Sequence, residues 1–550
     1  MNLRPDNLGT AAVIAFAASV LIALPVLIWG IPQGSADLIH HLQIVNTYLD
    51  SFRSGHFQPD WNAFENLGYG DVTVRFYPPL MHITIAFFVL VSGSWLVAVL
   101  LAFVFWSFVG AFGMICLAKE LLGNLRLGIV AGVIFLLTPY HLNQFYNSGM
   151  YGEYAGLSVL PFCVLMCKKV CDNVRPANIA LFGASVALLI LSNIPQTVVG
   201  AVAVGIFALF FLERTNLLRQ VAGLLTGALL GAAASSFYWI RVVKEMSWIN
   251  ISQPNTDPLY DYRNHFLFAD LSLDASGLWF AFAFFAASLA IISIALIASG
   301  KLSELMKHRE LRPLMALTAV SIFMAVPLSR PLWDNIDLLQ RVQFPWRFLS
   351  VFSLGFSVIF AFTLGFITAD NLRRYRPHCI VLIGLFCIFA TFSVKQVILG
   401  AIHIEPGLTQ KVIDEAIPAK GLWHWRPTWV DEKAFGVKEK VLMSSRESEI
   451  RHWEPGYIDF TVTAGPEADA RLAVMYYPYW KATVNDEPAS VRPSEDGAAS
   501  ITVPASDSKV VLEFVEPQYT YYARAVSALA WMIILIGSGT AILRRNKSLS

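Results

Sequence analysis

The chain has few charged residues: Asp, Glu, Lys and Arg make up 14% of its 550 residues, whereas 56% are hydrophobic. Its 15 Trp, 18 Tyr and 39 Phe offer more aromatic surface than one soluble core needs. Apolar runs near 20 residues recur, and about 20 residues span a hydrocarbon core of ~30 Å. The net charge of +1 argues against a nucleic-acid partner. The sequence therefore predicts a polytopic membrane protein.

Several signature motifs are missing from the chain. It has no P-loop and no G-x-G-x-x-G between a strand and a helix, which argues against direct use of a nucleotide. The H-E-x-x-H motif of zinc proteases is also missing. No series of charged residues runs through the apolar segments, as a proton-coupled transporter would require.

Cysteines are scarce as well. None of the six falls between residues 401 and 520, so that region is predicted to fold without disulfides. Cys163, Cys167 and Cys171 share one face of a helix. This spacing is compatible with a soft-metal or redox site, but it is more typical of small packing residues beside a span.

The apolar segments predict about 12 spans with connections that separate by charge. One set of connections, together with Arg4, carries eighteen Lys and Arg, whereas the other set carries eight. The positive-inside rule puts the basic set in the cytoplasm and the loop 32–78 outside. The predicted spans lie near 11–31, 95–117, 127–145, 155–168, 177–192, 197–212, 221–240, 275–299, 313–328, 346–368, 379–400 and 522–543.

Two apolar segments depart from a plain span. Residues 79–91 are too short to cross a bilayer, which favours an interfacial or re-entrant helix. The first span lacks an A-x-A site after it and is predicted to be a retained signal-anchor.

Residues 401–520 differ from the rest of the chain in kind. They contain short segments typical of strands, with turn residues such as Asn485, Asp486 and Gly497 between them. The sequence thus predicts a membrane module over 1–400, a periplasmic β-sandwich over 401–520, and a final helix with a basic cytoplasmic tail over 521–550.

The segment after the first span contains the first candidate site. Ser35 is a candidate N-cap for a helix that runs to about residue 52. The apolar stripe of this helix is expected to face the membrane, and its other face carries Asp37, His40 and His41. An ionised carboxylate at a helix start can take a proton from a hydroxyl. A simple capping role for Asp37 is an equal alternative, and a metal site of Asp37, His40 and His41 is a less favoured one.

The rest of the loop 32–78 is rich in aromatic and charged side chains. Flat rings and polar groups suit a sugar site, although aromatic residues are also ordinary at a membrane interface. The rings include Trp61 and Tyr77, and the charged residues are Asp60, Glu65, Asp71 and Arg75.

Two further candidates lie where spans begin. Arg347 follows Pro345 in "RVQFPWRF" and could pair bidentately with a lipid phosphate, or anchor the helix by snorkelling. Glu153 in "NSGMYGEYAG" lies close to hydrocarbon, where an acid is unfavourable unless it is paired or functional. It is expected to bind an acceptor, to hold an arginine, or to cap its helix.

Several motifs together resemble a known superfamily. A long first outer loop with an early acid and a closing "PPL" resembles the GT-C integral-membrane glycosyltransferases. Within it, "SADLIHHL", "GHFQPDW", "RFYPPL", "GEYAGLSVLPF" and "QFPWRF" resemble a bacterial branch of 6-pyruvoyl-tetrahydropterin-synthase-related membrane proteins. The tail with "YYPYWKATVND" is similar to the β-domain of YfhO-like proteins.

This resemblance implies roles for individual residues. Asp37 corresponds to the catalytic base of the first outer loop, and Arg347 and Arg75 would contact the donor phosphate. Ala36 stands where many relatives carry a second acid, which weakens a metal-dependent version, and Tyr77 stands where others carry a basic residue. The implied substrate-binding residues are His40, His41, Trp61, Tyr77, Glu153 and Gln343.

The resemblance implies an inverting glycosyltransferase in the bacterial inner membrane. It would move a sugar from a polyprenyl-phosphate donor to an envelope glycan, lipid or protein acceptor on the periplasmic face, and no cofactor is expected. The alternative is a non-catalytic scaffold or exporter for envelope polysaccharide.

Overall fold

The computed structural model describes residues 7–34, 37–252, 261–268, 308–365, 391, 395–444 and 446–547. Within these residues the membrane module is mainly helical, and strands are concentrated in the C-terminal region. The predicted helical membrane module with a C-terminal β-sheet region is therefore confirmed.

The described residues contain six helices that are long and apolar enough to cross a membrane. Two bent helix pairs raise this number to eight if each pair is one span. The six segments are Leu8–Trp29, Trp95–Leu122, Tyr151–Asp172, Leu217–Ala234, Pro345–Thr363 and Gln518–Gly539. The bent pairs are Leu125–Leu137 with Pro139–Tyr146, and Arg312–Ala325 with Pro327–Asn335. Twelve spans are thus not confirmed.

Three further apolar helices are shorter: Leu80–Ser92, Pro176–Ser192 and Ile194–Leu209. The first has 13 residues and ends at Gly93 with a left-handed φ of 67°. At 1.5 Å per residue it is too short to cross ~30 Å of hydrocarbon, as the sequence predicts. The predicted span 275–299 and most of the span 379–400 lie outside the described residues, as does the candidate N-cap Ser35.

The first outer loop contains the helix Asp37–Arg53, the 3-10 turn Asn66–Gly68 and the short helix Thr73–Phe76. The predicted surface helix with one face open to water is wrong. Both faces of Asp37–Arg53 are buried, including the side chains of His40, His41 and Gln43. The cover comes from the C-terminal region, because Gln43 Nε2 donates to the carbonyls of Ala416 and Ala419 at 3.0 Å each.

The C-terminal region forms two packed antiparallel sheets, so the predicted sandwich of strands is confirmed. The four-stranded sheet contains, in spatial order, Val441–Leu442, Ala468–Met475, Ala498–Val503 and Val491–Pro493. The five-stranded sheet contains Ser448–Glu454, Tyr457–Val462, Ser508–Phe514, Trp480–Val484 and Glu487–Ala489. Asn485 and Asp486 form the predicted turn, with φ of 53° and 66°.

Short helices and turns occupy two segments outside the long membrane helices and the strands. In the segment after Leu217–Ala234 they are Ser236–Glu245, Met246–Trp248, Asn250–Ser252 and Tyr262–Asn264, and in the segment before the sheets they are Pro406–Leu408, Thr409–Ala416, Trp423–Trp425 and Glu432–Gly436. The first outer loop contributes Trp61, Tyr69, Val72 and Phe76 to the core of the sandwich. Loop and sandwich therefore share one apolar core.

A second link joins the C-terminal region to the end of the first span. The two-residue strands Ile31–Pro32 and His403–Ile404 pair antiparallel. Gly30 precedes them with φ of 99°, and a Cβ there would lie 1.8 Å from the Ile404 carbonyl oxygen. Only glycine allows this close approach. The two links hold the C-terminal region over the loop that carries Asp37.

Candidate functional site

Asp37 lies in the first turn of its helix and is partly exposed. Burial raises the pKa of its carboxyl above the usual range, while the positive charges of Arg347 and His424 act to lower it. Asp37 therefore lies close enough to Arg347 for their charges to interact, although the two are 310 positions apart (347 − 37). Among the described residues, no ion pair within 4 Å includes Asp37.

The two histidines that follow Asp37 have different surroundings. His40 is buried, and desolvation lowers its pKa to about 4, so its imidazole is neutral at neutral pH. His41 is fully buried and stacks on Tyr151 with ring centroids 4.8 Å apart. A hydrogen bond of 2.9 Å joins its Nδ1 to His82 Nε2. His41 is thus part of the core behind the site rather than a group open to a substrate.

Tyr77 connects this histidine pair to the C-terminal region. Its ring lies edge-on to His41 at 5.5 Å and to His82 at 5.2 Å. On its other side it meets Trp425 at 5.7 Å. The structure therefore brings the predicted residues Tyr77 and His41 together.

Arg347 and Glu153 form a buried ion pair. Arg347 Nε donates to Glu153 Oε2 at 2.8 Å, and the two side chains are 7% and 0% exposed. Tyr140 and Gln144 donate to the other carboxylate oxygen, Gln144 at 3.3 Å. Of the three roles expected for Glu153, the one observed is to hold an arginine.

The guanidinium of Arg347 is only partly occupied by the protein. Its Nη1 donates to the Val342 carbonyl and, at 3.4 Å, to Gln343 Oε1. The rings of Phe344 and Trp346 flank it at 4.6 and 5.8 Å. Among the described residues Nη2 has no hydrogen-bond acceptor. Arg347 therefore has one nitrogen, Nη2, left to bind a phosphate, rather than the two that the expected bidentate contact needs.

Gln343 supports this arrangement with an unusual backbone. Its φ is 67°, in the left-handed region that few residues other than glycine adopt. This turn places the Gln343 side chain and the Val342 carbonyl on the same guanidinium. Such strain tends to be kept where function requires the geometry.

Arg75 and Trp61 lie away from this group. Arg75 is 0% exposed, and its guanidinium is held by Glu245 at 2.6 and 2.7 Å and by Glu516. A phosphate contact for Arg75 is wrong in this structure, because carboxylates already occupy its donors. Trp61 is buried against Trp480 at 5.2 Å, so it is a core residue rather than a sugar platform.

Of the loop acids Asp60, Glu65 and Asp71, Glu65 and Asp71 are buried, and Asp60 is half-buried and paired with arginines. Glu65 and Asp71 lie side by side beneath Gly421, and burial raises the pKa of both, that of Asp71 to about 6. Asp60 accepts from Arg241, and from Arg524 at 2.6 Å. These charges join the loop to the C-terminal region and do not line an open sugar site.

His424 was not among the site residues predicted from the sequence. It lies in the 3-10 turn Trp423–Trp425, and its charge acts on both Asp37 and His40. The signal that could have indicated it is the cluster of three tryptophans in "GLWHWRPTW", which is unusual in a segment between strands. The site is therefore built from three parts of the chain: the first outer loop, the turn 342–348 and the C-terminal region.

The site combines a carboxylate with a cation, and it holds no obvious metal centre. Within the described ranges, no group of three or more His, Cys, Asp or Glu side chains is placed to hold a metal ion. This covers the trio Asp37, His40 and His41 and the three cysteines at 163, 167 and 171.

A cavity of about 280 Å³ lined by Lys168 and Arg219 lies at the far end of the helix that begins at Tyr151, about 30 Å away.

Comparison with known proteins gives one family and two weaker likenesses. A family model for a 6-pyruvoyl-tetrahydropterin synthase related domain, described as a membrane protein, matches residues 74–399. None of the curated proteins matches the chain significantly.

The solved structures to which the chain shows partial similarity include the arabinofuranosyltransferase AftD from Mycobacteria, at 17% identity and a TM-score of 0.45. The similarity covers 70% of this chain but 27% of AftD. Another is the Archaeoglobus fulgidus oligosaccharyltransferase, at 13% identity and a TM-score of 0.37, over 75% of this chain and 56% of that one.

Proposed function

The chain belongs to the family of 6-pyruvoyl-tetrahydropterin synthase related membrane proteins, and from this premise we propose that it is an inverting glycosyltransferase. Its donor would be a polyprenyl-phosphate sugar, and its acceptor an envelope glycan, lipid or protein. The reaction would take place on the periplasmic face of the bacterial inner membrane. The family name describes a relationship of sequence, and no pterin chemistry is proposed.

The observation that supports this proposal is that Asp37 lies within range of the charge of Arg347. A partly exposed carboxylate is thus in the electrostatic field of a guanidinium that keeps one donor atom free. A transfer from a lipid phosphate needs both groups: a base for the acceptor hydroxyl and a cation for the leaving phosphate.

The proposed reaction has one chemical step. Asp37 takes the proton of the acceptor hydroxyl, while the oxygen of that hydroxyl forms a bond to the anomeric carbon of the donor sugar. The bond from that carbon to the phosphate oxygen breaks, and the electron pair leaves with the polyprenyl phosphate. Arg347 stabilises the added negative charge through Nη2. Because the acceptor attacks opposite the leaving group, the anomeric configuration inverts.

Burial of Asp37 suits this role. A carboxyl with a raised pKa is a stronger base than one in water, and a neighbouring cation favours its ionised form. The charge of Arg347 acts on Asp37 in this way. The proposal involves no metal or other cofactor.

If the protein were instead a scaffold or exporter, Asp37 would have only a structural role. A structural carboxylate would be buried and closed by an ion pair. Asp37 is partly exposed, and the described residues offer it no ion pair within 4 Å. This difference favours the transferase.

The test is transfer from a defined donor by membranes that contain the wild type or Asp37→Asn. Radiolabelled polyprenyl-phosphate sugars would be incubated with native envelope acceptors. We expect Asp37→Asn to lose about 10²–10⁴-fold in rate, as is usual when a general base is removed. Asp50→Asn, on the same helix but outside the site, is the matched control. A rate for Asp37→Asn within about threefold of the control would contradict the assignment.

A further inference from the structure

The cavity of about 280 Å³ lies at the end of the helix bundle opposite the candidate site. It is formed by the end of the helix Tyr151–Asp172, the start of the helix Leu217–Ala234 and residues 309–310. The helix Tyr151–Asp172 has 22 residues, a length of about 33 Å at 1.5 Å per residue. A helix of that length begins near one headgroup layer and ends near the other, because the hydrocarbon core is ~30 Å thick. The cavity therefore lies at the depth of lipid headgroups.

The floor of the cavity is fixed by buried polar side chains. Gln220 Oε1 accepts from Glu213 N at 2.8 Å, and Gln220 Nε2 donates to the Cys171 carbonyl at 2.7 Å. Lys168 is 8% exposed, and its Nζ donates to Asp172 Oδ2 at 2.6 Å. These contacts join the end of one helix to the start of another, so the cavity has rigid walls.

The lining carries equal numbers of basic and acidic side chains, namely Lys168, Arg219 and Arg309 against Asp172, Glu213 and Glu310. In the described part of the chain, only Lys168 and Asp172 of these six form an ion pair within 4 Å. The other four charges surround the same space without pairing with one another. A ligand with one charge would meet groups of its own sign there. A ligand with both charges would find a partner for each.

The negative end of such a ligand is accommodated at the start of the helix Leu217–Ala234. Asn216 precedes this helix and makes no side-chain capping bond, because its Nδ2 donates to Glu213 Oε2 at 3.4 Å. The amides of the first turn are therefore not capped by a side chain, and Arg219 lies in that turn. Amides at a helix start together with a guanidinium suit a phosphate group.

Apolar side chains beside the cavity mark the boundary with lipid. Leu218, next to Arg219, is 87% exposed, and Leu225 and Leu229 are exposed on the same side of the helix. The spacing i, i+7, i+11 makes these three leucines one stripe along the helix. An acyl chain can lie on this stripe when the headgroup is held at the start of the helix.

We propose that the cavity binds the headgroup of a zwitterionic phospholipid that carries a primary amine. The phosphate binds Arg219 and the start of the helix Leu217–Ala234, and the ammonium group donates to Glu213 and Glu310. The shared chemistry is a phosphate next to an ammonium, and the depth of the cavity assigns it to a lipid. This site is independent of the proposed transfer reaction at the other end of the bundle.

The test is a titration of the delipidated protein in detergent, followed by native mass spectrometry. The probes are phosphatidylethanolamine, phosphatidylcholine and phosphatidylglycerol with identical acyl chains. We expect phosphatidylethanolamine to bind about tenfold or more tightly than phosphatidylglycerol, which offers no cation to the acids. Phosphatidylcholine should fall between them, because its trimethylammonium group keeps the charge but has no N–H donor.

Two variants test the two ends of the headgroup. Arg219→Gln should weaken binding of phosphatidylethanolamine about tenfold or more, as for the loss of a hydrogen bond between charged groups. Arg214→Gln, an exposed change in the same connection but outside the lining, is its matched control. Glu310→Gln should remove the preference for phosphatidylethanolamine over phosphatidylglycerol, whereas Glu439→Gln, exposed in the C-terminal region, should keep it. Thermal unfolding without added lipid shows whether each variant is folded.

Equal affinity of the wild type for the three lipids would overturn the inference. So would equal affinity of Arg219→Gln and Arg214→Gln for phosphatidylethanolamine, or an unchanged preference in Glu310→Gln. Soluble phosphoethanolamine separates the lipid from a free ligand with the same charges. If it displaced phosphatidylethanolamine at equal concentration, the acyl chains would contribute nothing and the assignment to a lipid would be wrong.

Discussion

Arg347 has two partners in this account. It forms an ion pair with Glu153, and its remaining donor atom is proposed to bind the donor phosphate. Glu153 holds Nε and fixes the plane of the guanidinium, while Nη2 has no acceptor among the described residues. A buried ion pair contributes little net stability, but removal of one partner leaves the other charge unpaired. Arg347 therefore cannot be tested by simple truncation alone.

A double variant separates the two effects. We expect Arg347→Ala to weaken donor binding and to destabilise the protein, since Glu153 would be left as an unpaired buried charge. Arg347→Ala with Glu153→Gln should recover the stability but not the donor affinity. The loss should be about tenfold or more in the apparent KM for the donor, as for a hydrogen bond to a charged group.

Arg347→Lys gives the control for charge. An ammonium keeps the positive charge but lacks the planar fork, so it cannot hold Glu153 and a phosphate together. We expect it to recover donor affinity only in part. An unchanged apparent KM in the double variant would show that Arg347 has no contact with the donor.

The elements of the molecule differ in how far the sequence predicted them. Apolar runs and alternating patterns are local signals, so they predicted the helices and the strands from Tyr457–Val462 to Ser508–Phe514. The burial of the helix Asp37–Arg53 was not predicted, because the segment that covers it is distant in the sequence. Gln43 donates a hydrogen bond to the carbonyl of Ala416, 373 positions away. Arg75 was misjudged for the same reason: its partner Glu516 is 441 positions away.

The ion network around Arg75 joins three elements: the first outer loop, the helix Ser236–Glu245 and the end of the sandwich. Glu245 is 0% exposed, and it accepts from Arg75, from Tyr519 and, at 2.5 Å, from Tyr477. Glu516 is the second carboxylate on Arg75, and it also lies 3.4 Å from Arg241 Nη2. Its role is to hold the C-terminal region on the membrane module.

We expect Glu245→Ala to reduce the free energy of unfolding by about 3–5 kcal/mol, since it leaves a buried arginine short of one charge. Thermal unfolding in detergent would measure the loss. Glu415→Ala removes an exposed ion pair with Lys411 and should change stability by less than about 0.5 kcal/mol. Equal stability of the two variants would mean that the network does not hold the elements together.

At the scale of the whole molecule, the C-terminal region and the first outer loop form one body. They share an apolar core, and the strand His403–Ile404 ties the region to the end of the first span. Both parts must therefore lie on the same side of the membrane. From the distribution of Lys and Arg along the sequence we propose that this side is the outside.

Surface labelling tests this sidedness. Ser490 is exposed on the sandwich, and an impermeant maleimide should modify Ser490→Cys in intact spheroplasts. Thr215→Cys, in a basic connection at the other end of the bundle, should react only after the membrane is permeabilised. The opposite pattern would reverse the topology and move Asp37 to the cytoplasmic face.

The central claim is that this membrane protein transfers a sugar with Asp37 as its base. The most direct measurement is mass spectrometry of envelope glycans and lipids from a deletion strain complemented with the wild type, Asp37→Asn or Asp50→Asn. We predict that one glycosylated species is lost on deletion and restored by the wild type and by Asp50→Asn, but not by Asp37→Asn at equal protein levels. Full restoration of that species by Asp37→Asn would contradict the account.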